Sequence, residues 1–299
     1  MKQPEENERE LTRIRVAGVP EHFNLPWQLG LERRAFVRAA LDVKWRTVPQ
    51  GTGAMCDLLE AGEVDVALLV TEGAVRYILQ GGKARIVSAY VDSPLTWGVH
   101  VGAGSPIESP EQLKGCRFAI SRPNSGSHLA AFAYARARGW AVEESDFILV
   151  NDLNGAVERL KEPDPVAFLW EKFTTKPLVD RGALSCVDEF RTEWPAFMVV
   201  VSEAFLAEHG DHVQRLLKVI RDQANGLMQK KTAPEMVAHR YGLTLPDAQQ
   251  WFEAVRWNTG DPVDPQTLGN VVDVLAQAGM PDLKVAFEAG SATLLAASS

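Results

Sequence analysis

The chain has 299 residues, 46% of them hydrophobic, and a net charge of −8. That length can bury one large core or two smaller ones, and the acidic balance argues against phosphate backbones and anionic membrane surfaces as partners. No Lys/Arg cluster interleaved with aromatics points to nucleic acid, and no run approaches the about 18 apolar residues that a membrane span needs.

The start, MKQPEENERELTRIRV, is charged and has no apolar core of a secretory leader. Cys56, Cys116 and Cys186 are far apart and form no CxxC. The expectation is a cytoplasmic protein with free thiols, periplasmic only if a leader has been removed.

In chain order, strand-like and helix-like segments alternate. RIRVAGV reads as a buried strand and LPWQLGLERRAFVRAAL as one helical run. VKWRTV is a strand, GTGAMCDLLEAGE a Gly-led helix, VDVALLV a fully buried strand, EGAVRYILQGG a helix and ARIVSAYV a strand. This βαβαβ rhythm implies a parallel sheet covered by helices. It then restarts. TWGVHVG, CRFAIS, FILVND and VAFLW read as strands. ESPEQLKG, SGSHLAAFAYARARGW, NGAVERLKE and KFTTKPLVDRGAL read as helices. PAFMVVVSEAFLAEH is a strand running into a helix, and the rest is mostly helical with breaks at Gly242 and Gly260.

Two α/β units and a helical return predict two lobes. Residues 13–103 and 199–299 would form lobe I, and residues 104–198 lobe II. The helical return packs on lobe I because it has no sheet of its own. The crossings are expected near Val101–Ser105 and Phe197–Ser202. The first dozen residues and the final ATLLAASS are expected to dock loosely.

Ligands of open α/β sheets sit beyond the carboxyl ends of strands, beside helix starts. PEHFN follows the first strand and brings Glu21, His22, Phe23 and Asn24 to a place where a plain connection needs none of them. Thr52 and Gly53 follow the second strand, and Glu72 the third. Ser125, Gly126, Ser127 and His128 follow CRFAIS, and Glu171 follows VAFLW. GTGA and SGSH open helices, where free N–H groups and the helix dipole favour an anionic or strongly polar group. Ordinary N-capping by Thr52 or Ser125 explains either loop alone. Trp97 and Trp170 border polar strand ends and are the pocket-wall candidates, whereas Trp27 and Trp194 fit a core role.

His22 and His128 have no ligand spacing, so no metal site is expected. There is no GxSxG, GxxxxGK[ST], HExxH or GxGxxG, so no catalytic residue and no cofactor is assigned.

GTGAMCDLLEAGEVDVALLVTEGAV, SPEQLKGCRFAIS with SGSH, and FLWEKFTTKPLVDRG together resemble the solute-binding proteins of ABC importers. The likeness is to the type II periplasmic-binding-protein fold, in its branch for sulfonates, nitrate and thiamine-pyrimidine precursors, and runs from about Arg13 to about Tyr241. It implies two α/β lobes, each a mixed, mainly parallel sheet flanked by helices, joined by a two-strand hinge and closing on a small ligand. The matching cleft positions are Glu21, His22, Phe23, Asn24, Thr52, Gly53, Glu72, Ser125, Gly126, Ser127, His128 and Glu171. Phe23 and Trp170 would flank a planar or apolar part of the ligand.

The leading expectation is a monomeric or weakly dimeric binder of a small polar solute, anionic or heteroaromatic. An ABC permease would be its partner if the chain is exported. The alternative is a cytosolic enzyme on the same fold, of the thiamine-pyrimidine or menaquinone-precursor type, with Glu21, His22 and His128 converging in the cleft.

Overall fold

The computed structural model describes residues 11–123, 125–290 and 294–296. Most of the segments expected to dock loosely at the two ends therefore lie outside the described residues. The strands are β1 (Thr12–Gly18), β2 (Leu41–Thr47), β3 (Val66–Val70), β4 (Ala84–Gly102), β5 (Arg117–Ile120), β6 (Phe147–Leu149), β7 (Val166–Glu171) and β8 (Leu184–Ser202). They form one 8-stranded mixed sheet in the order β2-β1-β3-β8-β4-β7-β5-β6. The pairs β1–β2, β1–β3, β5–β6 and β5–β7 are parallel, as the βα rhythm requires.

ARIVSAYV and TWGVHVG, read as separate strands, are the two ends of β4, a strand of 19 residues. Its companion β8 is equally long. The first half of β8, LSCVDEFRTEW, gave no strand signal because its burial alternates irregularly and it carries four charged residues. Pairing along β4 holds it extended.

The two long strands hand the sheet over. Residues Phe197–Val201 of β8 pair with β3, whereas Trp97–His100 of β4 pair with β7. Between these stretches the β4–β8 ladder slips register repeatedly, and Pro94 faces Pro195. Neither proline has an N–H to donate, so the ladder is weakest there. The change of partner falls near residues 91–97 and 191–197, earlier in both strands than the expected crossings near Val101–Ser105 and Phe197–Ser202.

The helices are α1 (Leu25–Glu32), α2 (Ala35–Arg38), α3 (Thr52–Glu60), α4 (Thr71–Leu79), α5 (Gly126–Ala137), α6 (Leu153–Arg159), α7 (Lys172–Asp180), α8 (Glu203–Met228), α9 (Ala233–Tyr241), α10 (Leu245–Ala254), α11 (Pro265–Gln277) and α12 (Asp282–Gly290). The run expected as one helix from Leu25 breaks at Arg34, whose φ is 53°. The break folds α2 back so that Phe36 stacks on Trp27 at 5.6 Å between ring centroids.

The helical return packs mainly on the half of the sheet built from β1 to β4. α8 lies on α1, and α11 and α12 on α4. Trp257 forms a β-bridge with Val91. None of the helices, among the described residues, is long and apolar enough to cross a membrane.

Candidate functional site

The turn after β1 is built from its own side chains and backbone. His22–Asn24 form a single 3-10 turn, and the Asn24 amide donates to Val19 O at 2.8 Å. Phe23 O accepts from the Tyr90 hydroxyl at 2.6 Å and from Trp257 Nε1 at 2.9 Å. Long-range donors therefore pin a segment that has no strand or α-helix to hold it. They fix where Glu21 and His22 point.

Glu21 lines a cavity between the strand ends. Thr52, Trp97, Ser125, Gly126, Ser127, Trp170 and Glu171 line it too. Those eight come from the sequence expectation. The remaining walls are Val19, Gln50, Gly51, Val70, Leu95, Ser121 and Phe197. Gln50 and Gly51 stand in the same loop as Thr52, and Ser121 ends CRFAIS, so the rule that placed Thr52 and Ser125 at strand ends applies to all three. Val70, Leu95 and Phe197 carry no polar signal. The cavity is narrow, with a volume of ≈ 40 Å³, so a small-molecule solute needs its walls to part.

Two helix starts meet the cavity. Thr52 opens α3, and its Oγ1 accepts from Val70 N–H at 3.1 Å, tying the helix start to the end of β3. Gly51 just before it has φ 80°, a backbone state that favours glycine. At α5, Ser125 Oγ accepts from His128 N–H at 3.4 Å, and Ser127 Oγ accepts from Ser121 N–H at 3.0 Å. Capping and a ligand-facing role thus coexist here. The serine hydroxyls tie the loop together, while the first-turn N–H groups have no acceptor within the helix.

The carboxyls and His22 set the electrostatics. Burial, and then the charge of Glu171, pushes the Glu21 carboxyl up to about 8. Burial pushes Glu171 up to about 7, although Thr174 donates to its Oε2 from N–H at 2.6 Å and from the hydroxyl at 2.8 Å. Burial also pushes His22 down to about 3. His22 Nε2 lies 3.5 Å from Glu171 Oε2 and has no hydrogen-bond partner. At neutral pH the imidazole is uncharged, so the contact is not an ion pair. The indole Nε1 atoms of Trp97 and Trp170 are also buried without a hydrogen-bond partner. Each leaves a donor unmatched in or beside the cavity wall.

The other expected residues lie behind or beside the cavity. The His22 ring is packed among Phe23, Phe173, Tyr241 and Trp251, and Phe23 rests on Phe197 and Trp251. Gly53 sits under Arg122 in a separate groove. Glu72 accepts from Trp194 Nε1 at 2.9 Å, and burial pushes its carboxyl up to about 7. The His128 ring packs against Phe132 and Phe147. Among the described residues the rings around His22 and those around His128 are different sets. Among the described residues no group of His, Cys, Asp and Glu could hold a metal ion.

Paired helix starts at the carboxyl ends of a sheet that two long strands carry through define the class. The chain has the type II periplasmic-binding-protein-like fold. A family described as Ca3427-like PBP matches residues 97–190. The solved structure of the Candida albicans CA3427 gene product, described as defining a new family with the generic periplasmic binding protein fold, is similar over 97% of this chain and 99% of that one, with 25% identity and a TM-score of 0.86. The alkanesulfonate-binding protein SsuA of Xanthomonas axonopodis pv. citri, bound to MOPS, shares 15% identity over 92% of this chain and 94% of that one, with a TM-score of 0.74. The periplasmic aliphatic sulphonate binding protein SsuA of Escherichia coli shares 14% identity over 91% of this chain and 88% of that one, with a TM-score of 0.62. No curated protein matches the chain.

Proposed function

We propose that the chain is a solute-binding protein that takes a small anionic or acceptor-rich heteroaromatic solute into the cavity between Glu21 and Glu171. The surplus of donors carries this reading. The indoles of Trp97 and Trp170 hold unmatched N–H groups at a cavity that two helix starts also face. Glu21, neutral near pH 7, adds an O–H donor rather than a repelling charge. Leu95, Phe197 and the two indoles supply apolar faces for the solute body.

A division into two lobes goes with this proposal, hinged on β4 and β8 near Pro94 and Pro195, a few residues earlier in each strand than the expected bounds of 13–103 and 199–299 against 104–198. The sulfonate binders among the structural neighbours support an anionic solute, and a transport role would add an ABC permease as partner. We place the protein in a reducing compartment such as the cytoplasm, a setting supported by three unpaired thiols.

The test is a thermal-shift screen of sulfonates, pyrimidines, amino acids and aromatic acids, followed by calorimetry of any hit. A hit that binds with one-to-one stoichiometry and is lost in Glu171→Arg supports the reading. No hit in any class, or a hit that Glu171→Arg binds as well as the wild type, overturns it.

A second reading, an enzyme, draws on the close approach of His22 Nε2 to Glu171 Oε2. Mass spectrometry of a hit incubated with the protein separates the two, because a binder returns the hit unchanged.

A further inference from the structure

A second polar groove lies between α3, α4 and the loop after β5, and none of its lining residues lines the solute cavity. Arg76 is the unusual residue in it. Its side chain is buried, with the residue only 8% exposed. Nη1 donates to Gln80 Oε1 at 2.5 Å, but Nε is buried and has no partner.

The acids of the groove are engaged elsewhere. Asp57 pairs with Arg122 Nη1 at 3.1 Å, and Glu60 accepts from the Tyr77 hydroxyl at 3.1 Å. Arg76 itself makes no ion pair among the described residues. A buried guanidinium left this way is costly unless a counter-charge reaches it. Burial lowers its basicity and the charge of Asp57 only partly offsets this, while its own charge adds to the lowered basicity of His128, where burial is the larger cause.

We propose that Arg76 and Arg122 form an accessory site for a phosphate group, free or carried on a small phosphorylated molecule, apart from the solute cavity. A guanidinium presents a planar fork of donors that fits a tetrahedral oxyanion. Arg122 bonds to an Asp57 carboxylate that is 79% exposed, and so can be exchanged at little cost. The Tyr77 ring, held over Gly82, puts its hydroxyl on the same groove. Arg76 follows β3 and Arg122 follows β5. An anion between them therefore ties the segment before β4 to the segment after it.

The test is calorimetry of the full chain with inorganic phosphate against chloride at fixed ionic strength. Saturable one-to-one phosphate binding is expected, weakened about tenfold or more in Arg76→Met. Without phosphate, Arg76→Met should melt no lower than the wild type, because the buried unpaired charge is gone. If that variant does not fold, Arg122→Gln on the groove rim serves instead, with a several-fold loss expected. Glu171→Gln in the solute cavity should leave phosphate affinity unchanged. The proposal is overturned by the absence of saturable phosphate binding. Wild-type affinity in a folded arginine variant, or loss of phosphate binding in Glu171→Gln, overturns it equally.

Discussion

Glu21 and Glu171 are carboxyls that hold their protons where an exposed acid would not, and this makes stability depend on pH. Their unfolded values lie near about 4.3, and the folded values rise to about 8 and about 7. The folded state therefore binds more protons between those limits, and stability falls as pH rises through them. His22 works the other way. Its folded value is lowered to about 3, so its effect is a loss of stability as pH falls below about 6.5 and is flat above that. The window from pH 6.5 to 8 thus isolates the buried carboxyls from His22, with Glu72, raised to about 7, titrating beside Glu21 and Glu171. Urea unfolding should show a stability loss there on the order of 1–3 kcal/mol, and Glu21→Gln should reduce it. An unchanged slope in Glu21→Gln would show that Glu21 is ionised in the folded protein. The same proton governs binding. Affinity for an anionic solute should drop as pH passes 8 and Glu21 becomes a charge, and calorimetry of Glu21→Gln should show a flatter profile. A further prediction concerns Trp170. Trp170→Phe keeps the ring and removes the unmatched N–H, so folding stability should hold or rise while solute affinity falls by about 0.5–1.5 kcal/mol. Equal solute affinity in the two proteins would remove Trp170 from the set of donors.

The elements put these residues in reach of one another by short ties between a strand end and the next helix start. Thr52 is the clearest case. Its hydroxyl caps nothing in α3 and instead accepts the Val70 N–H at the end of β3. Thr52→Val keeps the shape and leaves that buried N–H without an acceptor. It should cost about 1–3 kcal/mol of stability, read from the midpoint of urea unfolding, whereas Thr52→Ser should stay near the wild type. If Thr52→Val unfolds at the wild-type midpoint, the tie carries no weight. The methyl group of Thr52 also rests where a Cβ on Gly73 would come, 2.5 Å away. The starts of α3 and α4 are therefore packed together, and the first turn of α3 cannot shift without moving α4. On the other side, Ser121, Ser125 and Ser127 bond to one another through hydroxyls at 3.0–3.3 Å. That keeps the α5 start in one conformation facing the cavity.

The whole molecule is one sheet divided by the handover along β4 and β8. Contacts across the handover are apolar as well as polar: the rings of His22 and Phe173 meet edge-on at 6.5 Å, and Arg136 donates to Gln277 O at 2.8 Å. Arg122 meets Asp57, and Lys176 on α7 meets Asp247 on α10 at 3.4 Å. Partly exposed ion pairs of this kind contribute little, and the Pro94–Pro195 position cannot strengthen the ladder. These ion pairs are therefore a small part of what holds the two halves together, and a bound solute would add to it in the proposed closure. Small-angle scattering should show a larger radius of gyration for the solute-free protein than for the saturated one. Identical profiles with and without a calorimetrically confirmed solute would exclude hinge closure.

The sequence by itself determined the βα rhythm, the restart of that rhythm after β4 and the helical return, because apolar periodicity and Gly- or Ser-led helix starts are local signals. It also located Glu21, Thr52, Ser125–Ser127, Trp170 and Glu171 at the cavity, because sites in such sheets follow the strand ends. Tertiary structure decided the rest. LSCVDEFRTEW became strand only because β4 runs beside it, a long-range pairing with no local pattern to announce it. Leu95, Val70 and Phe197 line the cavity as plain apolar residues, which look the same in sequence whether they face a core or a ligand. His22, Phe23 and Asn24 left the cavity wall for packing and turn bonds. Their neighbours Tyr241, Trp251 and Trp257 come from more than two hundred residues away. The neutral state of Glu21 was equally illegible, since a proton held near neutral pH comes from burial and from Glu171 across the cavity, and neither is a property of Glu21 or of its neighbours in the chain.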